Sequence, residues 1–370
     1  MTEAGTLLID NWTLEDVGEL LSQGPKGDQA SFLRISVDGL RYDYEDRNWD
    51  VVAFECLAQT LSNIVLTDVC YVDADHSRSW IERYDCLKVL TKEALVRTRS
   101  FSQNRDAWVP IRESIVEDLL ACPEMRERHE ENKKAFNDHR DQPDEMLSQI
   151  LHGGAGMMAR ARLAELPYST HPQRQELVQR ATFMYYPASA QGKFNEVLQS
   201  TRMNIYQRSD AQGLFAQLSL PPVALQIINE ANGSDDLLIT AMQMRDRYKN
   251  LRAWLAEFQN ALNGDDTRAI LGRLKLLADL GKSIEVNMVD EILGGSTVQM
   301  GVTDMQPKAT MKGNILSTLR NKFGVRAQIT RLLLEEPGLK AVRRFCGFFE
   351  KRQSVHALNL ERELQKRWSA

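Results

Sequence analysis

The chain has 370 residues, 43% of them apolar and 26% charged, and a net charge of -5, an ordinary globular composition with ample length to bury apolar surface in about two domains. No run of about 18 apolar residues exists to cross a bilayer and the first residues lack the regions of a signal peptide, so we expect a cytoplasmic protein with no membrane contact. Five cysteines, Cys56, Cys70, Cys86, Cys122 and Cys346, are odd in number and widely spaced, which excludes a disulfide framework or a paired zinc motif and reads as reduced, mostly buried side chains.

The modest net charge hides an asymmetry. Residues 1–90 hold 7 Lys/Arg against 17 Asp/Glu, a net of -10, whereas residues 308–370 hold 14 against 5, a net of +9. Such a distribution implies a basic segment meant for an acidic partner, or one that docks on the protein's own acidic face.

In chain order, Thr6 to Asp10 reads as a short apolar strand, and Thr13 as the N-cap of a helix over Leu14–Leu21. Ala30–Val37 alternates like a strand, and the Asp38-Gly39 dipeptide folds it back onto Leu40–Tyr44. A helix around Val52–Leu61 leads into the β-rich run Ile64–Val72, the best candidate for a central strand. At its carboxyl end stand Asp73, Asp75 and His76. Two carboxylates and an imidazole beyond a strand suit Mg2+ or Mn2+ for chemistry on a phosphate-bearing substrate, although Asp-x-Asp after a strand is also ordinary turn and N-cap chemistry.

Beyond about Lys92 helices take over. Pro110 is expected at the first position of a helix whose stripe is Ile111, Ile115, Leu119 and Leu120. Glu124–Arg140 is almost wholly polar and reads as a solvated helix or linker, with His129 and His139 on its surface. Leu147, Leu151, Gly154, Met158 and Ala161 then form an apolar helical stripe broken by Gly153, Gly154 and Gly156, which implies close packing there, or else a break that aims backbone N–H groups at an anion. Pro167 ends this helix. Thr170 or His171 caps the next with Pro172 at its first position, so Tyr168, His171 and Arg174 sit together on a short connector suited to contacting a partner.

From Ser234, Leu237, Ala241, Met244, Tyr248, Leu251, Leu255, Phe258 and Leu262 recur four and three apart, and Asn263-Gly264 turns the chain back, giving an αα-hairpin over about 234–280. Gly281-Lys282-Ser283 is no phosphate loop, because it lacks the earlier glycine and follows a helix. Residues 293–310 read as a long loop. Ile315–Lys322, the turn Phe323-Gly324-Val325 and Arg326–Leu334 resemble a helix-turn-helix over about twenty residues, with Arg326 and Arg331 on the second helix, and depart from that pattern at Arg320 and Thr330. Pro337 opens an amphipathic helix with Lys340, Arg343, Arg344, Lys351 and Arg352 off its apolar face.

The expected architecture is α+β and predominantly α-helical. An acidic α/β unit over residues 1–92 precedes a helical body over 93–292, and a loop and basic helical region follow over 293–370. The leading expectation is a non-enzymatic interaction protein that needs no cofactor. It would contact nucleic acid or an acidic partner through Arg326, Arg331, Lys340, Arg343, Arg344, Lys351 and Arg352. The alternative is a metal-dependent enzyme at Asp73, Asp75 and His76.

Overall fold

The computed structural model of the chain describes residues 5–35, 42–121, 123–138, 145–175, 177–178, 222–250, 252–253, 256–257 and 339–369. Strand β1 (Thr6–Ile9) leads into helix α1 (Thr13–Gln23), the hairpin β2 (Gln29–Ile35) and β3 (Tyr42–Asn48), and helix α2 (Trp49–Leu66). Then come β4 (Val69–Asp73), α3 (Ala74–Arg83), α4 (Lys88–Lys92), β5 (Val96–Arg99), α5 (Arg105–Leu119) and α6 (Pro123–Asp138). A short α7 (Glu145–Ser148) passes through one π-helical turn, Gln149–Gly153, into α8 (Gly154–Leu163), followed by β6 (Tyr168–Ser169). Further on lie α9 (Pro222–Glu230), α10 (Leu237–Met244), α11 (Leu339–Gly347) and α12 (Glu350–Ser369). The described residues are therefore mostly helical, with a small parallel sheet and a separate antiparallel hairpin.

The parallel sheet runs β5-β4-β1-β6. Both of its faces are covered, as a parallel sheet requires. Leu7 and Ile9 of β1 and Cys70 and Val72 of β4 join one core with α1 and α2, while Leu8 and Tyr71 pack on the other side with α5 and α8. The first core also takes Ile227 and Tyr248, and Phe345, Leu360 and Leu364 from α11 and α12, so residues of all three expected units share it. Its axis is α2, which is apolar almost all round and buried at Val52, Phe54, Leu57, Leu61 and Ile64. Asn48 caps α2 by accepting the Asp50 N–H at 2.8 Å.

Several boundaries differ from the sequence expectation for identifiable reasons. Ile64, Val65 and Leu66 belong to α2, because a fully buried helix needs apolar residues on every side; the strand begins only at Val69. Helix α1 starts at Thr13 without a side-chain cap from it. The Asp10 carboxylate instead accepts the Trp12 N–H at 2.9 Å, and the Asp10 carbonyl accepts the Thr13 N–H at 3.2 Å. Pro110 lies inside α5, which begins a turn earlier at Arg105 and so buries Trp108. Residues 234–248 form α10 and a turn at 245–248 that interrupts the expected seam, although Leu237, Ala241, Met244 and Tyr248 are all buried. The turn and the whole returning arm of the αα-hairpin, the 293–310 loop and the helix-turn-helix resemblance lie outside the described residues.

Gly18 in α1 permits a close approach. A Cβ there would stand 2.4 Å from Tyr84 Cδ2 and 2.9 Å from Tyr84 Cβ, and Tyr84 is itself buried. Gly18→Ala gains about 1 kcal/mol of helix propensity but overpacks this contact, at a cost of roughly 1–3 kcal/mol. We expect a lower Tm, and an unchanged or raised Tm would show that Tyr84 yields freely.

Candidate functional site at the carboxyl edge of the sheet

Register aligns the carboxyl ends of the strands. Leu8 pairs with Tyr71, and Asp10 and Asp73 each follow two residues later, at the carboxyl ends of adjacent strands; Asp73 in turn pairs with Arg99. On the other side Ile9 pairs with Ser169, which brings Thr170 and His171 to the same edge. The chain leaves β1 toward β4 and β5 and returns to β6 on the opposite flank, so strand order reverses at β1, the position where open α/β sheets gather ligands.

Asp10 is fully buried and fully hydrogen-bonded. Arg174 Nη1 donates to Oδ1 at 2.9 Å and Oδ2 at 3.0 Å, and the Tyr168 hydroxyl donates to Oδ2. Burial alone would push this carboxyl up, but Arg174, His171, Tyr168 and the Trp12 N–H together hold it below the usual carboxylate value. Burial and the Asp10 charge keep the Tyr168 phenol well above its usual value, so it stays a donor. The Arg174 guanidinium lies 3.6 Å over the Trp12 ring. It also explains Gly153, the glycine of the π-helical turn, since a Cβ there would stand 2.7 Å from Arg174 Nη2; at Gly154 and Gly156 the nearest atoms belong to Leu177 and Arg160. The close approach expected at those glycines is made by side chains.

Asp73 is buried and differently placed. Its Oδ1 accepts the Asp75 N–H at 3.0 Å, and its Oδ2 lies 3.0 Å from Arg160 Nε in an ion pair that is not an aligned hydrogen bond. Burial pushes the Asp73 carboxyl up, against the pull of the Asp75 N–H, Arg160 and His76. Arg160 stacks 4.0 Å over Trp108, with Arg112 5.6 Å from the same ring, and Arg99 lies 5.8 Å over Phe101. Asp75 and His76 are exposed on the first turn of α3. The edge thus carries two buried carboxylates set among arginines that rest on aromatic rings.

Of the connector residues, Tyr168 and Arg174 converge on Asp10, whereas His171 Nε2 meets Asp16 Oδ2 at 3.0 Å. His171 caps its short helix as expected, its Nδ1 accepting the Gln173 N–H at 3.2 Å. Among the described residues, Asp16, Cys56 and His171 form a trio whose ligand atoms all lie within 4.8 Å of one another. The cap argues against a metal there. With Nδ1 accepting, the proton sits on Nε2, the atom that faces Asp16, and an ion on Nε2 would shift that proton to Nδ1, against the Gln173 N–H. Burial pushes the Cys56 thiol well above its usual value, so it is inert.

In the basic region, Arg343 pairs with Glu361 at 2.9 Å, and Arg344 donates to the Ala231 carbonyl at 2.6 Å and 3.1 Å. Lys340, Lys351 and Arg352 lie on α11 and α12, and Arg326 and Arg331 fall outside the described residues. Asp10, Arg99, Arg112, Arg160 and the two tryptophans were not singled out from sequence. The signal for Asp10 was present, because TLLID and CYVD are both short apolar runs that end in Asp.

Neither the protein-family models, nor the curated proteins, nor the solved structures compared with this chain gave a match. Among the described residues, no helix is long and apolar enough to cross a membrane.

Proposed function

We propose that the chain acts on a phosphate-bearing substrate at the carboxyl edge of its parallel sheet, as an enzyme dependent on Mg2+ or Mn2+. The observation that carries this reading is that adjacent strands end in the buried carboxylates Asp10 and Asp73, with Arg174 paired to the first, Arg160 to the second, Arg99 opposite Asp73 in register and Arg112 near Arg160. Carboxylate oxygens suit a hard divalent cation, and guanidinium groups suit phosphate oxygens.

The two carboxylates have separate tasks. Asp10 has both oxygens occupied by protein donors and positions the edge, while Asp73 keeps lone pairs on Oδ2 and would hold the ion together with exposed Asp75. A bound ion supplies Lewis-acid polarisation of the phosphoryl group and an activated water. Arg160 and Arg99 would meet the non-bridging oxygens as charge builds on them.

Calorimetric titration of the parent chain with Mn2+ should reveal a site that Asp73→Asn abolishes while circular dichroism stays unchanged. Hydrolysis of p-nitrophenyl phosphate or of a single-stranded oligonucleotide should need that ion, and should fall roughly 10²–10³-fold in Arg160→Met. No metal heat at millimolar Mn2+ would remove this reading. A salt-sensitive gel shift without metal dependence would instead favour the non-enzymatic one, in which residues 308–370 contact nucleic acid through phosphates.

A further inference from the structure

Beside the second core, α5, α6, the end of α7 and the π-helical turn line an open cavity of about 510 Å³. Residues about one turn apart line it in pairs: Glu113 and Glu117 on α5, His129 and Lys133 on α6, and Ser148 at the end of α7 with His152 in the π-helical turn. Asn132, buried beside them, donates from Nδ2 to Ser148 Oγ at 3.1 Å and ties α6 to the end of α7. The polar helix expected to be solvated therefore has one face turned inward, and His129 is half-buried on that face.

The imidazole rings of His129 and His152 come close together in this space, their centroids 5.3 Å apart and their planes tilted by 53°. Two imidazoles on one tetrahedral ion, with metal–nitrogen bonds of about 2.0–2.1 Å, place their ring centres roughly 5 Å apart. His129 Nδ1 is buried without a hydrogen-bond partner, an arrangement that costs free energy unless something binds it. Three glutamates, Glu113, Glu117 and Glu130, against one lysine make the lining attractive to a cation. Burial, His129 and Arg112 hold the His152 imidazole below its usual value, with Glu113 near enough to pull the other way, and Glu113 now pairs with Arg112 Nε at 3.0 Å. Its side chain is exposed, and it would exchange the Arg112 pair for an ion held between the two imidazoles. A π-helical turn is also a common mark of a functional position in a helix.

We propose that this cavity binds one divalent transition-metal ion, of the zinc class, through His129 and His152, with Glu113 as the third ligand. Nitrogen ligands separate it from the carboxylate edge near Asp73, and imidazole with carboxylate favours zinc, nickel or cobalt over magnesium.

Zinc titration of the full chain, followed by calorimetry, should give one tight site. His152→Gln should weaken it at least about tenfold and the double variant His129→Gln/His152→Gln at least about a hundredfold. Asp73→Asn should leave it unchanged, so failure here is separable from failure of the carboxylate-edge reading. Because the imidazoles are only half-buried, circular dichroism of the variants should match the parent; if the double variant does not fold, Glu113→Gln, on an exposed side chain, should still weaken zinc. Cobalt in place of zinc should show d–d bands without a thiolate charge-transfer band. A folded parent that takes up no zinc, zinc affinity that survives the double substitution, or a thiolate band pointing to Cys56 would each overturn the proposal.

Discussion

Arg174→Ala is expected to destabilise the protein by about 3–5 kcal/mol, the usual cost of leaving one buried charge without its partner. Arg174 and Asp10 are 2% and 0% exposed, so solvent cannot replace the missing guanidinium. The pH dependence gives the sign. In the parent, Asp10 is held below its unfolded value, so its contribution is present above about pH 4 and is lost as pH falls through the folded value. In the variant, burial acts with less opposition and pushes the carboxyl up. The penalty is then full above that raised value and fades as pH falls through it toward 4. Urea unfolding of both proteins should therefore show their widest gap near neutral pH and a narrower one in acid. A gap below about 1 kcal/mol, or one independent of pH, would mean that Tyr168 and Trp12 hold Asp10 unaided.

Phe345→Ala should cost a similar amount, roughly 3–5 kcal/mol. Phe345 is fully buried, with its ring 4.9 Å from Phe54 of α2 and 5.2 Å from Phe349. The matched control is Leu358→Ala on α12, which is 55% exposed and should change stability by no more than about 0.5 kcal/mol. If limited proteolysis finds α11 and α12 equally protected in the Phe345 variant and the parent, the ring pair does not anchor these helices. The charge asymmetry between the two ends of the chain raised docking as one of two outcomes. Within the described residues the contact between them is chiefly apolar, through Phe54, Phe345 and Phe349, with His356 close to Gly27.

How much of this was legible depended on whether a residue's partner was near it in sequence. The short strand at Thr6, the antiparallel pairing of β2 with β3 and the cap at His171 rest on local patterns, and each lies close to where it was expected; the Asp38-Gly39 turn itself lies outside the described residues. Asp73 stood out because Asp75 and His76 follow it directly. Asp10 did not, since its partners Tyr168 and Arg174 are 158 and 164 positions away and only the parallel register of β1 with β4 and β6 brings the edge together. Periodicity could not show that Ile64–Leu66 is helix, because a helix buried on all sides and a buried strand are both continuous apolar runs. Composition likewise hid the inward face of α6, where single residues such as Met125 and Asn132 carry the packing within a charged segment.

The union of α2 with α11 sets an order of events for the folding chain. Phe54 and Phe345 are 291 residues apart, against 63 between the paired residues of β1 and β4. Closing the longer loop costs only about 1.3 kcal/mol more, since each doubling adds roughly 0.6 kcal/mol, so the final stability is hardly affected. The rate is affected far more, because contacts of such separation form late. Until α11 arrives, a folded sheet and hairpin leave one side of α2 uncovered around Phe54, a sticky intermediate of the kind that aggregates or recruits chaperones. A chain cut before Leu339 would keep every strand described and remain in that condition.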